Sequence, residues 1–268
     1  MTGIFFDIDD TLYSRRALLL QAAREIARDS GWDPAAICGE EAAEHLPEGI
    51  ECLPDMKEGS SREDRFMEAF YRFSDENFPL IMAGEITPWQ SNMQRFVNTV
   101  RYLGVDAGDE HGVAFANRYT WLQNHMTLTE ELQCMMRELS ARSGIRLGVI
   151  TNGASEFQWK KFHMLGLDEY IDKESVFVSG DLGVSKPDPG IFRAAQEGFG
   201  LPPENLWIVG DSVRADIAGA KACGWHTLWL RTGRENPEEV ETDLMADSVD
   251  EMCRLVLNLV AAIPHQPM

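Results

Sequence analysis

Apolar positions along this chain change their period twice. The first run, Gly3-Ile4-Phe5-Phe6, is short and continuous and stops at an acidic turn. That pattern predicts a buried parallel strand whose carboxyl end carries polar residues. From Arg15 to Asp29 the period becomes helical, with Leu18, Leu19, Ala22, Ile26 and Ala27 on one face. Between Gly31 and about His125 no strand alternation appears. Phe66, Phe70 and Phe73, then Phe96, Val100 and Leu103, predict further amphipathic helices, with loops at Gly49–Gly59 and Gly104–Gly112 between them.

The register changes again near Thr127. Thr129-Glu130-Glu131-Leu132 has the look of a helix start, and Leu132, Met135, Met136 and Leu139 supply its apolar face. Gly144 closes that helix, and Leu147-Gly148-Val149-Ile150 follows as a strand ending at Thr151-Asn152-Gly153. Strand and helix then alternate: a helix at Glu156–Leu165, a strand at Ser175–Val178, a helix at Pro189–Phe199, the strand Leu206-Trp207-Ile208-Val209, a helix at Arg214–Cys223, the strand Thr227–Leu230 and a last helix at Asp250–Val260. Repeated strand–helix units predict an α/β fold, a doubly wound parallel sheet. The helical stretch then becomes a second domain inserted after the first strand, so the expected division is 1–13 with 126–268 as the sheet domain and 14–125 as the helical insert.

Composition narrows the partners. At 268 residues the chain holds one large domain or a core with a companion, and its formal net charge of −20 argues against nucleic acid, whose phosphates would be repelled. A small phosphorylated molecule is compatible if a metal and a local cation neutralise the site. Cys38, Cys52, Cys134, Cys223 and Cys253 are scattered and include no C-x-x-C pair, and the histidines form no H-x-x-x-H pattern. Reduced thiols in a cytoplasm fit that usage better than disulfides or zinc. No stretch reaches the ~20 apolar residues of a membrane span, and no signal peptide is evident, so a cytoplasmic protein without a membrane partner is expected.

Candidate chemistry lies at the strand ends, where open parallel sheets bind ligands. In order these are Asp7/Asp9/Thr11, Thr151/Asn152/Gly153 and Gly210/Asp211/Ser212, with Lys186 in the loop Gly183-Val184-Ser185-Lys186-Pro187. Locally extended backbone points the side chains of Asp7 and Asp9 the same way. Two close carboxylates repel, and a hard divalent cation resolves the repulsion. With Asp211 as a third oxygen ligand the set suits Mg²⁺, and Lys186 neutralises what charge remains.

Four motifs in this order resemble the haloacid dehalogenase superfamily of phosphohydrolases. Asp7-Ile8-Asp9-Asp10-Thr11 matches the first, Thr151-Asn152-Gly153 the second, and Lys186 within Ser185-Lys186-Pro187-Asp188-Pro189 the third. Gly210-Asp211-Ser212-Val213-Arg214-Ala215-Asp216 matches the fourth. The resemblance spans about 1–13 and 126–260 and is closest to the capped branch that holds pyrimidine nucleotidases and general small-phosphate phosphatases. It implies a Rossmann-like core with a helical cap. Asp7 would be the nucleophile that forms an aspartyl-phosphate, and Asp9 the general acid and then base. Mg²⁺ would be held by the side chains of Asp7 and Asp211 and the carbonyl of Asp9. Thr151, Asn152 and Lys186 would hold the phosphoryl group, Asp216 would support the lysine or the hydrated metal, and Thr11 would order the loop.

The expected activity is therefore Mg²⁺-dependent hydrolysis of a small phosphorylated metabolite, such as a nucleotide or sugar phosphate. A phosphomutase or other phosphotransferase would use the same core. A dehalogenase lacks the equivalent of Asp9. A phosphonate hydrolase needs a cap lysine, for which only Lys57 is available, and a non-catalytic module would show eroded motifs.

Overall fold

The computed structural model describes residues 1–39, 61–231 and 240–261. The chain divides into two compact units, Met1–Ser14 with Met126–Met268, and Arg15–His125. Lys57 and Cys52 lie outside the described residues.

The first unit is built on a six-stranded, all-parallel sheet of order β3-β2-β1-β4-β5-β6. Its strands are β1 (Thr2–Phe6), β2 (Ile145–Thr151), β3 (Val176–Val178), β4 (Leu206–Gly210), β5 (His226–Leu230) and β6 (Leu244–Ala246). β1 is central, and every residue after Thr2 is buried, as a strand covered on both faces requires. Phe5 faces a cluster formed with Ile150, Phe192, Phe199, Ile208 and Trp225. Its ring centroid lies 4.2 Å from that of Phe199 and 5.1 Å from that of Trp225. Ile4 and Phe6 are buried on the opposite face. The register sets Phe6 level with Val149 on one side and Val209 on the other, so the carboxyl ends of β1, β2 and β4 finish together. The chain winds one way through β2 and β3 and the other through β4 to β6, which makes the end of β1 the point where a crevice opens.

Two helices of this unit carry clear capping signals. Thr129 caps helix Glu130–Ser140 by accepting from the Leu132 N–H. Asp188 caps Pro189–Phe199, with proline in the first turn and Gly200 ending the helix at φ +62°. Ser175 belongs to a 3₁₀ turn, Lys173–Ser175, rather than to β3. The helix expected at 214–223 is instead a π-helical turn, Val213–Ala218, followed by Gly219–Ala222. The Asp216 and Ile217 N–H groups both donate to the Ser212 carbonyl, at 2.8 and 3.2 Å, which widens the turn. The edge strand β6 was not expected from the sequence. It is tied to β5 by Asp243, whose carboxylate accepts from the Thr227 N–H at 2.8 Å, the Thr227 hydroxyl at 3.0 Å and Lys221 at 2.7 Å.

The second unit is helical: α1 (Arg15–Asp29), α2 (Pro34–Cys38), α3 (Arg62–Met82), α4 (Pro88–Tyr102) and α5 (Asp109–Gln123) are its helices among the described residues. Buried Phe66, Phe70, Phe96 and Phe115 form its centre, with the Phe96 and Phe115 rings stacked at 4.2 Å. α5 corrects the expectation of a loop reaching Gly112. That glycine is an interior helical residue, and a Cβ there would lie 2.7 Å from Met93 Cγ and Val97 Cγ2 of α4. Its missing side chain lets the two helices approach, so a residue read locally as a breaker serves packing. No helix among the described residues is long and apolar enough to cross a membrane.

Gly112→Val should destabilise the protein by about 1–3 kcal/mol through overpacking, read as a lower urea midpoint at unchanged slope. A second expectation concerns acid. Desolvation raises the Asp243 carboxyl, but the hydrogen bonds from Lys221 and Thr227 outweigh it and lower its pKa to about 2. A depressed carboxylate stabilises above its unfolded pKa of about 3.9 and loses that contribution as pH falls toward 2. Wild type should thus exceed Asp243→Asn in melting temperature at pH 6, with the gap closing by pH 2.

Candidate active site

β1 delivers Asp7 to the end of the sheet with its backbone still in line. The Asp7 N–H donates to the Val209 carbonyl at 2.9 Å. The chain then reverses. Asp10 adopts φ +64°, a left-handed conformation that aspartate tolerates better than most residues, and the Leu12 N–H returns to the Ile8 carbonyl at 3.1 Å. Asp7 is buried on the sheet side of this turn, and Asp9 lies in a separate set of contacts.

Lys186 meets Asp7 inside the protein. Its side chain is only 2% exposed, and its ammonium donates to Asp7 Oδ1 at 2.6 Å and to the Ile150 carbonyl at 2.8 Å, while Asp216 Oδ1 lies 2.6 Å away as an ion pair. The lysine backbone is braced as well. Asn152 Nδ2 donates to the Lys186 carbonyl and the Lys186 N–H donates to Asn152 Oδ1, both at 2.9 Å. The Asn152 side chain, expected at the phosphoryl group, is therefore engaged with the Lys186 loop. Thr151 is buried, and its hydroxyl donates to Gln158 Oε1 at 3.2 Å.

Asp216 reaches this cluster from the π-helical turn. Its Oδ2 accepts from the Ser212 N–H at 3.0 Å while its Oδ1 faces Lys186. Gly210 makes room, since a Cβ there would lie 2.4 Å from Asp216 Cγ. Asp211 is buried beside it, and its carbonyl accepts from Trp229 Nε1 at 3.0 Å. Carboxylate oxygens of Asp7, Asp211 and Asp216 all lie within 4.8 Å of one another. Three buried carboxylates against one ammonium leave surplus negative charge, and hard oxygen donors match a hard cation. The residues present therefore fit a divalent metal. The same surplus shapes the titration. Burial, with a smaller push from Asp216, outweighs Lys186 and raises the Asp7 pKa to about 7. Burial would lower the Lys186 pKa, but Asp216 and Asp7 hold it above its ordinary value.

Asp9 has the opposite environment. Lys161 Nζ lies 2.6 and 2.7 Å from its two oxygens, Gln158 Nε2 donates to Oδ2 at 3.0 Å, and the Tyr13 hydroxyl donates to Oδ1. Desolvation pulls its pKa up, but these donors, Lys161 foremost, lower it on balance. Sequence reading did not single out Lys161, Gln158 or Tyr13. The only trace was the i, i+3 spacing of Gln158 and Lys161 on the helix after Thr151-Asn152-Gly153, which puts both on one face. Thr11, expected to order this loop, is buried with its hydroxyl unbonded among the described residues.

A family model of the haloacid dehalogenase-like hydrolases matches residues 1–224. The chain belongs to that family. Among curated relatives of this hydrolase, glyceraldehyde 3-phosphate phosphatase of Methanopyrus kandleri is 27% identical over 90% of this chain and 88% of its own. The pyrimidine 5'-nucleotidase YjjG of Escherichia coli is 30% identical over 70% of this chain and 83% of its own. Phosphoserine phosphatase of Thermus thermophilus is 33% identical over 47% of this chain, and the match spans about half, 49%, of that relative. A solved structure of the HAD-hydrolase YfnB from Bacillus subtilis, bound to magnesium, shares the fold at a TM-score of 0.55 and 22% identity, covering 95% of this chain and 98% of its own.

Removing the ammonium should expose the cost of this cluster in the hydrolase. Lys186→Met should lose about 3–5 kcal/mol of stability, the penalty for stranding buried charge. The loss should be smaller at pH 5 than at pH 8. Carboxyls whose folded pKa is raised take up protons on folding, so stability falls as pH rises. Urea denaturation of metal-free protein at the two pH values measures both effects.

Proposed function

We propose that this chain is a magnesium-dependent phosphatase that hydrolyses a small phosphorylated metabolite, a nucleotide or sugar phosphate, through an aspartyl-phosphate on Asp7. The observation that carries the reading is the second carboxylate. Asp9 lies close enough to Asp7 to raise its pKa, yet is bonded to Lys161, Gln158 and Tyr13 instead of entering the Lys186 cluster. Displacement of an alkoxide needs a proton for the departing oxygen, whereas displacement of a halide does not. The relatives named as phosphatases for glyceraldehyde 3-phosphate and phosphoserine, and as a pyrimidine 5'-nucleotidase, support hydrolysis of small phosphate esters.

The steps follow from the side chains. Asp7 Oδ1 is held by Lys186, so Oδ2 attacks phosphorus. The ester P–O bond breaks, its electron pair leaves with the oxygen, and Asp9 gives that oxygen a proton. Water then loses a proton to Asp9 as it attacks the phosphoryl group, and the Asp7–phosphorus link breaks to release inorganic phosphate and restore the carboxylate. Lys186 offsets negative charge on Asp7 throughout, and Asn152 fixes the lysine backbone. The Asp7 and Asp211 side chains and the Asp9 carbonyl would hold Mg²⁺ with Asp216 alongside, and the bound ion would neutralise phosphoryl charge.

Chelator-treated protein should release little phosphate from p-nitrophenyl phosphate, and added Mg²⁺ should restore release. Asp7→Asn should fall to background, and wild-type turnover in that variant would overturn the assignment. Mg²⁺ at 100 times its Kd should stabilise the wild type by about 2.7 kcal/mol, seen as a rise in melting temperature that Asp211→Asn lacks.

A further inference from the structure

The Asp9 carboxylate has a protein donor for each of its roughly four lone-pair sites. Lys161 and Gln158 project from the same face of helix Ser155–Met164, one turn apart. Lys161 spans both oxygens at 2.6 and 2.7 Å, Gln158 holds Oδ2 at 3.0 Å, and Tyr13 donates to Oδ1 from the far side of the same turn. The assembly is largely sheltered, with the side chains of Lys161 and Asp9 only 22% and 16% exposed, so water competes little with these bonds. Gln158 also donates to the Asn152 carbonyl at 2.9 Å and accepts from Thr151 at 3.2 Å, which ties the clamp to the end of β2.

A carboxylate held through one oxygen can pivot about its terminal torsion, which is broad. A cation bridging both oxygens fixes its plane and direction. We infer that Lys161 is a positioning residue that aims the Asp9 carboxyl at the departing oxygen of the substrate. The inference rests on Asp9 acting as the proton donor. When Asp9 carries its proton on Oδ1, Lys161 and Gln158 keep Oδ2, the Tyr13 hydroxyl still donates to Oδ1, and the single O–H stays available to the substrate. That proton passes to the leaving oxygen as the ester P–O bond breaks with its electron pair, and Asp9 is left as the carboxylate that Lys161 stabilises. Because misplacing a reacting group by 1 Å can cost about 100-fold in rate, loss of the clamp should register in turnover.

The leaving group supplies the test. p-Nitrophenolate departs without a proton, whereas phenolate, the conjugate base of a weaker acid, benefits from one. Rates of Asp9→Asn, Lys161→Met and Lys161→Arg would be measured on phenyl phosphate and p-nitrophenyl phosphate with saturating Mg²⁺. Lys161→Met should lose about 10-fold to 100-fold more kcat/KM on phenyl phosphate than on p-nitrophenyl phosphate, a ratio that excludes the later hydrolysis of the aspartyl-phosphate common to both esters. Lys161→Arg should recover part of that difference. If Lys161→Met melts well below wild type, Lys161→Gln, which keeps a polar side chain, carries the same comparison. Equal losses on both esters in Asp9→Asn would overturn the acid role itself. Leaving-group dependence in Asp9→Asn, with equal losses or faster turnover in the lysine variants, would overturn only the inference about Lys161.

Discussion

The buried ammonium of Lys186 is the charge around which the site is arranged. An ammonium in the interior is tolerated only where hydrogen bonds and opposite charge replace its water, and here they come from three separate parts of the chain: the acceptors Asp7 and Ile150 and the paired charge of Asp216. Several local features serve that gathering. Parallel register finishes β1 and β2 together, so the Ile150 carbonyl lies beside Asp7. The widened turn after β4 swings Asp216 inward, and the bare Gly210 leaves space for its carboxylate. Asn152 fixes the lysine backbone through two hydrogen bonds. Each feature is modest alone, and together they set the ammonium among its partners.

Asp7 and Asp9 of the first motif are separated by one residue and by opposite electrostatics. Asp7 belongs to a cluster with surplus negative charge, and burial raises its pKa. Asp9 is paired with a lysine and two neutral donors, and its pKa is lowered. The environments of the two carboxyls thus push their pKa values apart, Asp7 up and Asp9 down. Burial beside Lys186 and Asp216 sets the first, and the donors Lys161, Gln158 and Tyr13 set the second. The surplus charge around Asp7 is also what makes a divalent cation a chemically sensible complement to Asp211 and Asp216.

Legibility in the sequence followed the range of the interactions. The strand–helix alternation, the helix caps and the glycine stops depend on neighbours within a turn or two, and the sheet domain was readable from them. Helix α5 and strand β6 were not, for different reasons. Gly112 reads as a breaker until α4 is seen packed against it, and β6 is a three-residue edge held by the bonds of Asp243 to β5 and Lys221. Lys161, Gln158 and Tyr13 were equally hidden, since a lysine or glutamine on a helix has no local mark that separates a clamp from a solvated side chain.

By itself the sequence determined the chemical inventory at the strand ends: Asp7 and Asp9 after the first strand, Thr151 and Asn152 after the second, Lys186 in its loop and Asp211 with Asp216 after the fourth. Such residues are dictated by strand periodicity and motif order, which are properties of the linear chain. Only the tertiary structure decided which groups share a charge. It joined Lys186 to Asp7 across 179 residues and Lys161 to Asp9 across 152. The physical reason is that ion pairing depends on separation in space, and sheet topology and burial set that separation.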